Sequence, residues 1–101
     1  MTVEQNTLTV MAHLSFNEPV NATVLQALAE VKAATVLEPG CLEYHAHLHA
    51  DDPRRVSFYE RWRDQTSFEA HLAMPHLAVF ISAIGDLLAG APEVTRLQRL
   101  G

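Results

Sequence analysis

The chain is predicted to be a single α+β domain, one antiparallel four-stranded sheet with helices on one side. Three observations predict it. Thr7 to Phe16, Cys41 to His49 and Arg55 to Trp62 alternate with period two, as strands do. The stretches between and after them repeat apolar residues every three or four positions, as helices do. The joins are rich in Asn, Asp, Pro and Gly, which cap helices or break them.

The elements follow in order. In the first strand, Leu8, Val10, Ala12, Leu14 and Phe16 share a face, with Thr9, Met11, His13 and Ser15 on the other. Asn17-Glu18-Pro19 breaks it, and Asn17 or Asn21 can cap the helix that follows. Val24, Leu28, Val31 and Thr35 lie on one side of that helix, which Pro39-Gly40 ends. In the second strand Leu42, Tyr44, Ala46 and Leu48 face one way, and Cys41, Glu43, His45, His47 and His49 the other. Asp51-Asp52-Pro53-Arg54 is a turn into the third strand, so the two form an antiparallel hairpin. Val56, Phe58, Glu60 and Trp62 share a face of that strand.

Thr66-Ser67-Phe68-Glu69 has the capping-box pattern for a short helix that stops near Met74-Pro75. Pro75 can open a further helix that buries Leu77, Phe80, Ile81, Ile84 and Leu88. Gly90-Ala91-Pro92 turns the chain into a last strand, Glu93 to Leu100. The order β-α-β-β-α-α-β is the ferredoxin-like plan with its second helix broken in two. The sheet's second face is mixed, carrying Met11, His13, Cys41, the alternating histidines, Ser57 and Tyr59. A second copy of the sheet is its natural cover, so a homodimer is expected.

At 101 residues, 49% of them apolar, residues 1–101 form one domain, with residues 1–6 expected to be flexible. The 7 basic residues against 12 acidic ones form no cluster, which argues against nucleic acid. The longest apolar stretch, Leu77 to Ile84, is too short to span a bilayer. No signal peptide is evident, and one cysteine fits a reducing compartment, so a cytoplasmic protein is expected.

Glu60 is the sharpest anomaly, a carboxylate where the register calls for an apolar side chain. It is either paired with an arginine or placed at a functional cavity. His71 lies on or beside the apolar side of the short helix, either as a hydrogen-bonded core residue or as a base. His76 sits in the first turn after Pro75, where the helix dipole keeps an imidazole neutral. Trp62 offers an aromatic wall or plain packing, and Tyr44 has a hydroxyl for the same space. His45, His47 and His49 stand side by side on a strand and do not readily converge, so no metal is expected. Cys41 lacks a cluster to stabilise a thiolate, and no phosphate loop or dinucleotide fingerprint is present.

Pro39-Gly40-Cys41-Leu42 with Tyr44, Tyr59-Glu60-Arg61-Trp62, and His71-Leu72-Ala73-Met74-Pro75-His76 carry a resemblance. In their order and spacing, the stretch from Thr9 to about Phe80 resembles the antibiotic biosynthesis monooxygenase domain. The resemblance implies a dimeric α/β-barrel with a pocket between each sheet and its own helices, and chemistry without a bound cofactor. Where polyketide oxygenases of the family carry an asparagine and a tyrosine around the tryptophan, this chain has Phe58 and Phe68. Haem-degrading relatives pair a tryptophan and a helical histidine with an asparagine on the first strand, which is missing here. The histidine-bearing pattern looks closest to the quinol monooxygenase-like branch.

The expected activity is therefore oxidation of a quinol or phenol by molecular oxygen. His71 would take the phenolic proton, with Glu60 orienting it or taking part. His76 or Tyr44 would donate to the developing oxyanion. Trp62, Tyr44, Phe58 and Phe68 would bind the substrate. The alternatives are a proton-shifting isomerase of a small carbonyl metabolite, or a non-catalytic binder of aromatic metabolites or haem.

Overall fold

A computed structural model describes residues 7–101, so the segment expected to be flexible lies outside the described residues. The elements are β1 (Leu8–Ser15), α1 (Ala22–Thr35), β2 (Cys41–His49), β3 (Asp52–Trp62), α2 (Gln65–Leu72), α3 (Pro75–Ile84), a 3-10 turn (Gly85–Leu87) and β4 (Glu93–Leu97). The strands form one antiparallel sheet in the order β2-β3-β1-β4. This is the ferredoxin-like plan that the sequence predicts. The core lies between the sheet and the helices, where Val10, Val24, Val31, Val56, Trp62 and Ile84 are almost fully buried. No single helix among the described residues is long and apolar enough to cross a membrane.

Register positions the site. Val10 pairs with Glu60 and Ala12 with Phe58 across β1 and β3, while Tyr44 pairs with Glu60 across β2 and β3. Alternation then sends Val10, Tyr44, Phe58 and Glu60 to the helix side. Asn21 caps α1 by accepting a hydrogen bond from the Val24 N–H at 3.1 Å. Asn17 instead donates to the Leu88 carbonyl, helping to tie the end of β1 to the segment after α3.

Several local expectations are corrected. A bulge at the start of β2 makes Leu42 the extra residue, so Cys41 lies opposite Trp62 and packs on the core while Leu42 is exposed. Leu48, near the far end of the same strand, is exposed as well. The hairpin turn is confined to Ala50 and Asp51, and β3 starts at Asp52. The N-cap of α2 is Asp64, whose Oδ1 accepts from the Ser67 N–H at 2.7 Å, so Thr66 is already inside the helix. Glu69 accepts from Gln65, one turn earlier, at 3.1 Å rather than closing a capping box.

Pro75 does open α3, with Met74 as N-cap. That helix stops at Ile84, so Leu88 follows the 3-10 turn, and Ile81 is exposed rather than buried. β4 is shorter than expected, ending at Leu97, and is exposed throughout.

Gly40 has a φ of +104°, a conformation that side chains rarely adopt, and a Cβ there would collide with the Ser67 side chain. Its carbonyl accepts from the Arg63 N–H at 2.8 Å, while the Cys41 N–H bonds back to the Glu38 carbonyl at 3.1 Å. This tight turn holds the residue before Pro39 against α2.

Candidate active site

A cavity of about 190 Å³ lies between the sheet and the pair α2–α3. Its polar side chains are Glu60, His71 and Tyr44; the rest of its wall is apolar and includes Val10, Phe58, Phe68, Leu77 and Phe80. Such a lining suits a mostly apolar ligand with a few polar atoms.

Glu60 is 4% exposed. Trp62, two residues on and therefore on the same strand face, donates its indole N–H to Glu60 Oε1 at 3.0 Å. Burial pushes the Glu60 carboxyl up to about 7; the Trp62 bond works in the opposite direction, and the charge of Glu38 adds to the rise. Tyr44, directly across the ladder, has a phenol held above its ordinary value, first by burial and then by the Glu60 charge. It is a neutral hydrogen-bond donor.

His71 is on the last turn of α2 and is 2% exposed. Its ring centroid lies 4.7 Å from that of Trp62 and 5.6 Å from that of Tyr44. Nδ1 of His71 lies 2.8 Å from Glu38 Oε2. Burial lowers its pKa, and the hydrogen bond and charge of Glu38 act against that fall. With the carboxylate accepting, the proton sits on Nδ1 and Nε2 is left as an acceptor. A second imidazole, His76 in the first turn of α3, donates from Nε2 to the same Glu38 oxygen at 2.7 Å.

The structure brings Glu60, His71, Tyr44, Phe58 and Phe68 together around one cavity. It does not bring His76 there: that ring, 6.2 Å from the His71 ring, bonds to Glu38 and lines a separate groove with Val31 and Phe80. Trp62 is fully buried beneath the cavity and does not line it. Its part is to hold Glu60 and to pack on His71. The expectation that Glu60 orients His71 gives way to Glu38, which makes that bond.

Glu38 is not legible as a site residue in the sequence, where it has the pattern of a solvated loop residue before a helix-breaking Pro-Gly. It is 33 residues from His71 and 38 from His76, beyond any local spacing rule. The usable signal was Gly40, whose tight turn fixes where Glu38 points.

Elsewhere, His45, His47 and His49 do not converge. His45 lies 3.7 Å from Glu43, and His49 shares Ser57 Oγ with His13 at 2.6 Å each. Burial, with the charges of Glu38 and Glu60, pushes the Cys41 thiol up to about 11, so it stays protonated. Among the described residues, the group with three ligand atoms close together is Glu38, His71 and His76.

Comparison with known proteins adds a family context. The family model for antibiotic biosynthesis monooxygenase matches residues 7–83. No curated protein matches the chain. Protein SO0527 from Shewanella oneidensis is similar in structure, with 25% identity and a TM-score of 0.86 over 97% of this chain and 95% of that one. PA3566 from Pseudomonas aeruginosa is similar at 25% identity and a TM-score of 0.81, covering 96% and 97%. SnoaB, a cofactor-independent oxygenase from Streptomyces nogalater, shares the fold at 17% identity and a TM-score of 0.82, covering 95% of each chain.

Proposed function

The chain belongs to the antibiotic biosynthesis monooxygenase family, and we propose that it is a cofactor-independent monooxygenase that oxidises a quinol or phenolic aromatic with molecular oxygen. The observation that carries this reading is His71, a neutral imidazole held by Glu38 at the wall of an apolar cavity that also contains Glu60.

The aromatic ring lies among Phe58, Phe68 and Phe80, where burial of flat apolar surface supplies the binding energy. Nε2 of His71 takes the phenolic proton, and the imidazolium that forms is stabilised by Glu38. The Tyr44 phenol donates a hydrogen bond to the phenolate oxygen. The phenolate passes electrons to oxygen and a carbon–peroxide bond forms. The ring carbon then loses its hydrogen as a proton while the O–O bond breaks. One oxygen atom stays as a new carbonyl and the other leaves as water. Glu60, poised near neutrality, supplies a proton to the departing oxygen. The balance is phenol plus O2 to quinone plus water, with no outside reductant.

The sheet face opposite the helices carries the His13–Ser57–His49 network and is the surface through which a cytoplasmic homodimer would form. Dissolved oxygen followed during addition of hydroquinones and naphthoquinols tests the activity. Consumption above autoxidation, lost in His71→Ala, supports it. An unchanged rate in that variant would sink the assigned base. No consumption at all would favour the same residues shifting a proton in an isomerase.

A further inference from the structure

We propose that Glu38, His71 and His76 form a binding site for a divalent first-row transition ion of the zinc class. The ligand atoms available are Glu38 Oε2, His71 Nδ1 and His76 Nε2, which lie within 4.8 Å of one another. Two imidazole nitrogens and one carboxylate oxygen are the donor set that zinc and its neighbours take, with further positions left for water.

The present separations of 2.8 and 2.7 Å are hydrogen-bond lengths. Ligand atoms about 2.1 Å from one tetrahedral ion lie roughly 3.4 Å apart, so the two N···O distances need to open by well under 1 Å. The three residues come from the turn before Gly40, the last turn of α2 and the first turn of α3. The Met74-Pro75 break lets two histidines five positions apart face one carboxylate, which a continuous helix would not allow.

A second observation points to a ligand. The Glu38 side chain is 6% exposed, and its other oxygen, Oε1, is buried without a hydrogen-bond partner among the described residues. Both histidines crowd onto one oxygen while the other is idle, an arrangement that hydrogen bonding alone leaves costly. A bound ion gives Oε1 a partner through bidentate coordination. Access does not run through the substrate cavity. Glu38 lines a separate groove with Pro39, Ser67, Ala70 and Met74, and the His76 side chain is 25% exposed.

Coordination has a consequence for the cavity. An ion on Nδ1 displaces the proton there, and the neutral imidazole then carries its proton on Nε2. The acceptor facing the substrate is lost, so the ion inhibits turnover. This consequence rests on the proposed activity; the binding itself does not.

The test uses tag-free, chelator-treated full-length protein and titrates Co(II), whose visible absorption reports low coordination number, with Zn(II) as competitor. The expected result is one Co(II) per chain, displaced by Zn(II). Affinity falls at least tenfold in Glu38→Gln and in His76→Ala and is unchanged in His45→Ala. The isosteric Glu38→Gln and the partly exposed His76→Ala are each checked for native circular dichroism. No binding at millimolar Co(II), or binding that survives in both variants, overturns the site. Oxygen uptake in saturating Zn(II) is read separately, so a protein without oxygenase activity still reports on metal binding.

Discussion

Glu38 Oε2 lies 2.8 Å from His71 Nδ1, so a carboxylate from the turn after α1 fixes the tautomer of an imidazole on α2. The same oxygen holds His76 at 2.7 Å, and the two helices and the turn are locked by one side chain. The other ring nitrogen of His71, Nε2, is thereby kept as an acceptor.

Replacing Glu38 with glutamine keeps shape and removes charge. The amide leaves the imidazolium without its counter-charge, and kcat/KM is expected to fall by about a hundredfold. Initial rates of oxygen uptake measure it. The pH dependence separates positioning from folding: the limb belonging to His71 is expected to move to lower pH, because the raising influence of Glu38 is gone.

Glu60 should make stability depend on pH. Its folded pKa, about 7, lies above the ordinary 4.5, so the folded state binds the extra proton between these values. Stability contributed by this group is full below about pH 4.5 and is lost as pH rises through about 7. The loss is on the order of 3 kcal/mol at most. Urea midpoints of the wild type and Glu60→Gln compared at pH 5 and pH 8 are expected to show the variant gaining relative stability at the higher pH. An unchanged difference would mean Glu60 is not buried as a proton-binding group.

Trp62→Phe keeps an aromatic ring in the core but deletes the donor to Glu60. That bond lowers the Glu60 pKa, so the alkaline limb of the rate profile, where Glu60 loses the proton it donates, is expected to move to higher pH. The lost bond and the smaller ring together cost about 1–3 kcal/mol of stability, read from chemical denaturation.

Gly40→Ala is expected to destabilise by about 1–3 kcal/mol, since φ is +104° and the new methyl meets Ser67. Activity should fall with it, because the turn positions Glu38. Gly90→Ala is the control: nothing lies within 4 Å of its Cβ position, and its effect should stay within about 0.5 kcal/mol.

The fold was legible because period two and period 3.6 are written into the chain, and Pro75 and Gly40 punctuate it where the helices break. The face of β3 that carries Phe58, Glu60 and Trp62 came from alternation alone. Alternation fails at a bulge, which is why Leu42 and Cys41 exchange faces. Capping patterns compete, and Asp64 captured α2 before Thr66 could, since a carboxylate one turn earlier accepts from Ser67. Residues that lie close in sequence to a strand or helix pattern, such as Glu60, His71, Tyr44, Phe58 and Phe68, could be gathered from the sequence. Glu38 could not, because its partnership with His71 and His76 exists only after three separate elements have packed.

The most direct test of the account is turnover of a hydroquinone under ¹⁸O2 with chelator-treated, flavin-free protein, the wild type beside His71→Ala. One labelled oxygen atom is expected in the quinone product and the other in water, with little product from the variant. Unlabelled product, or equal labelling and rate in His71→Ala, would contradict it.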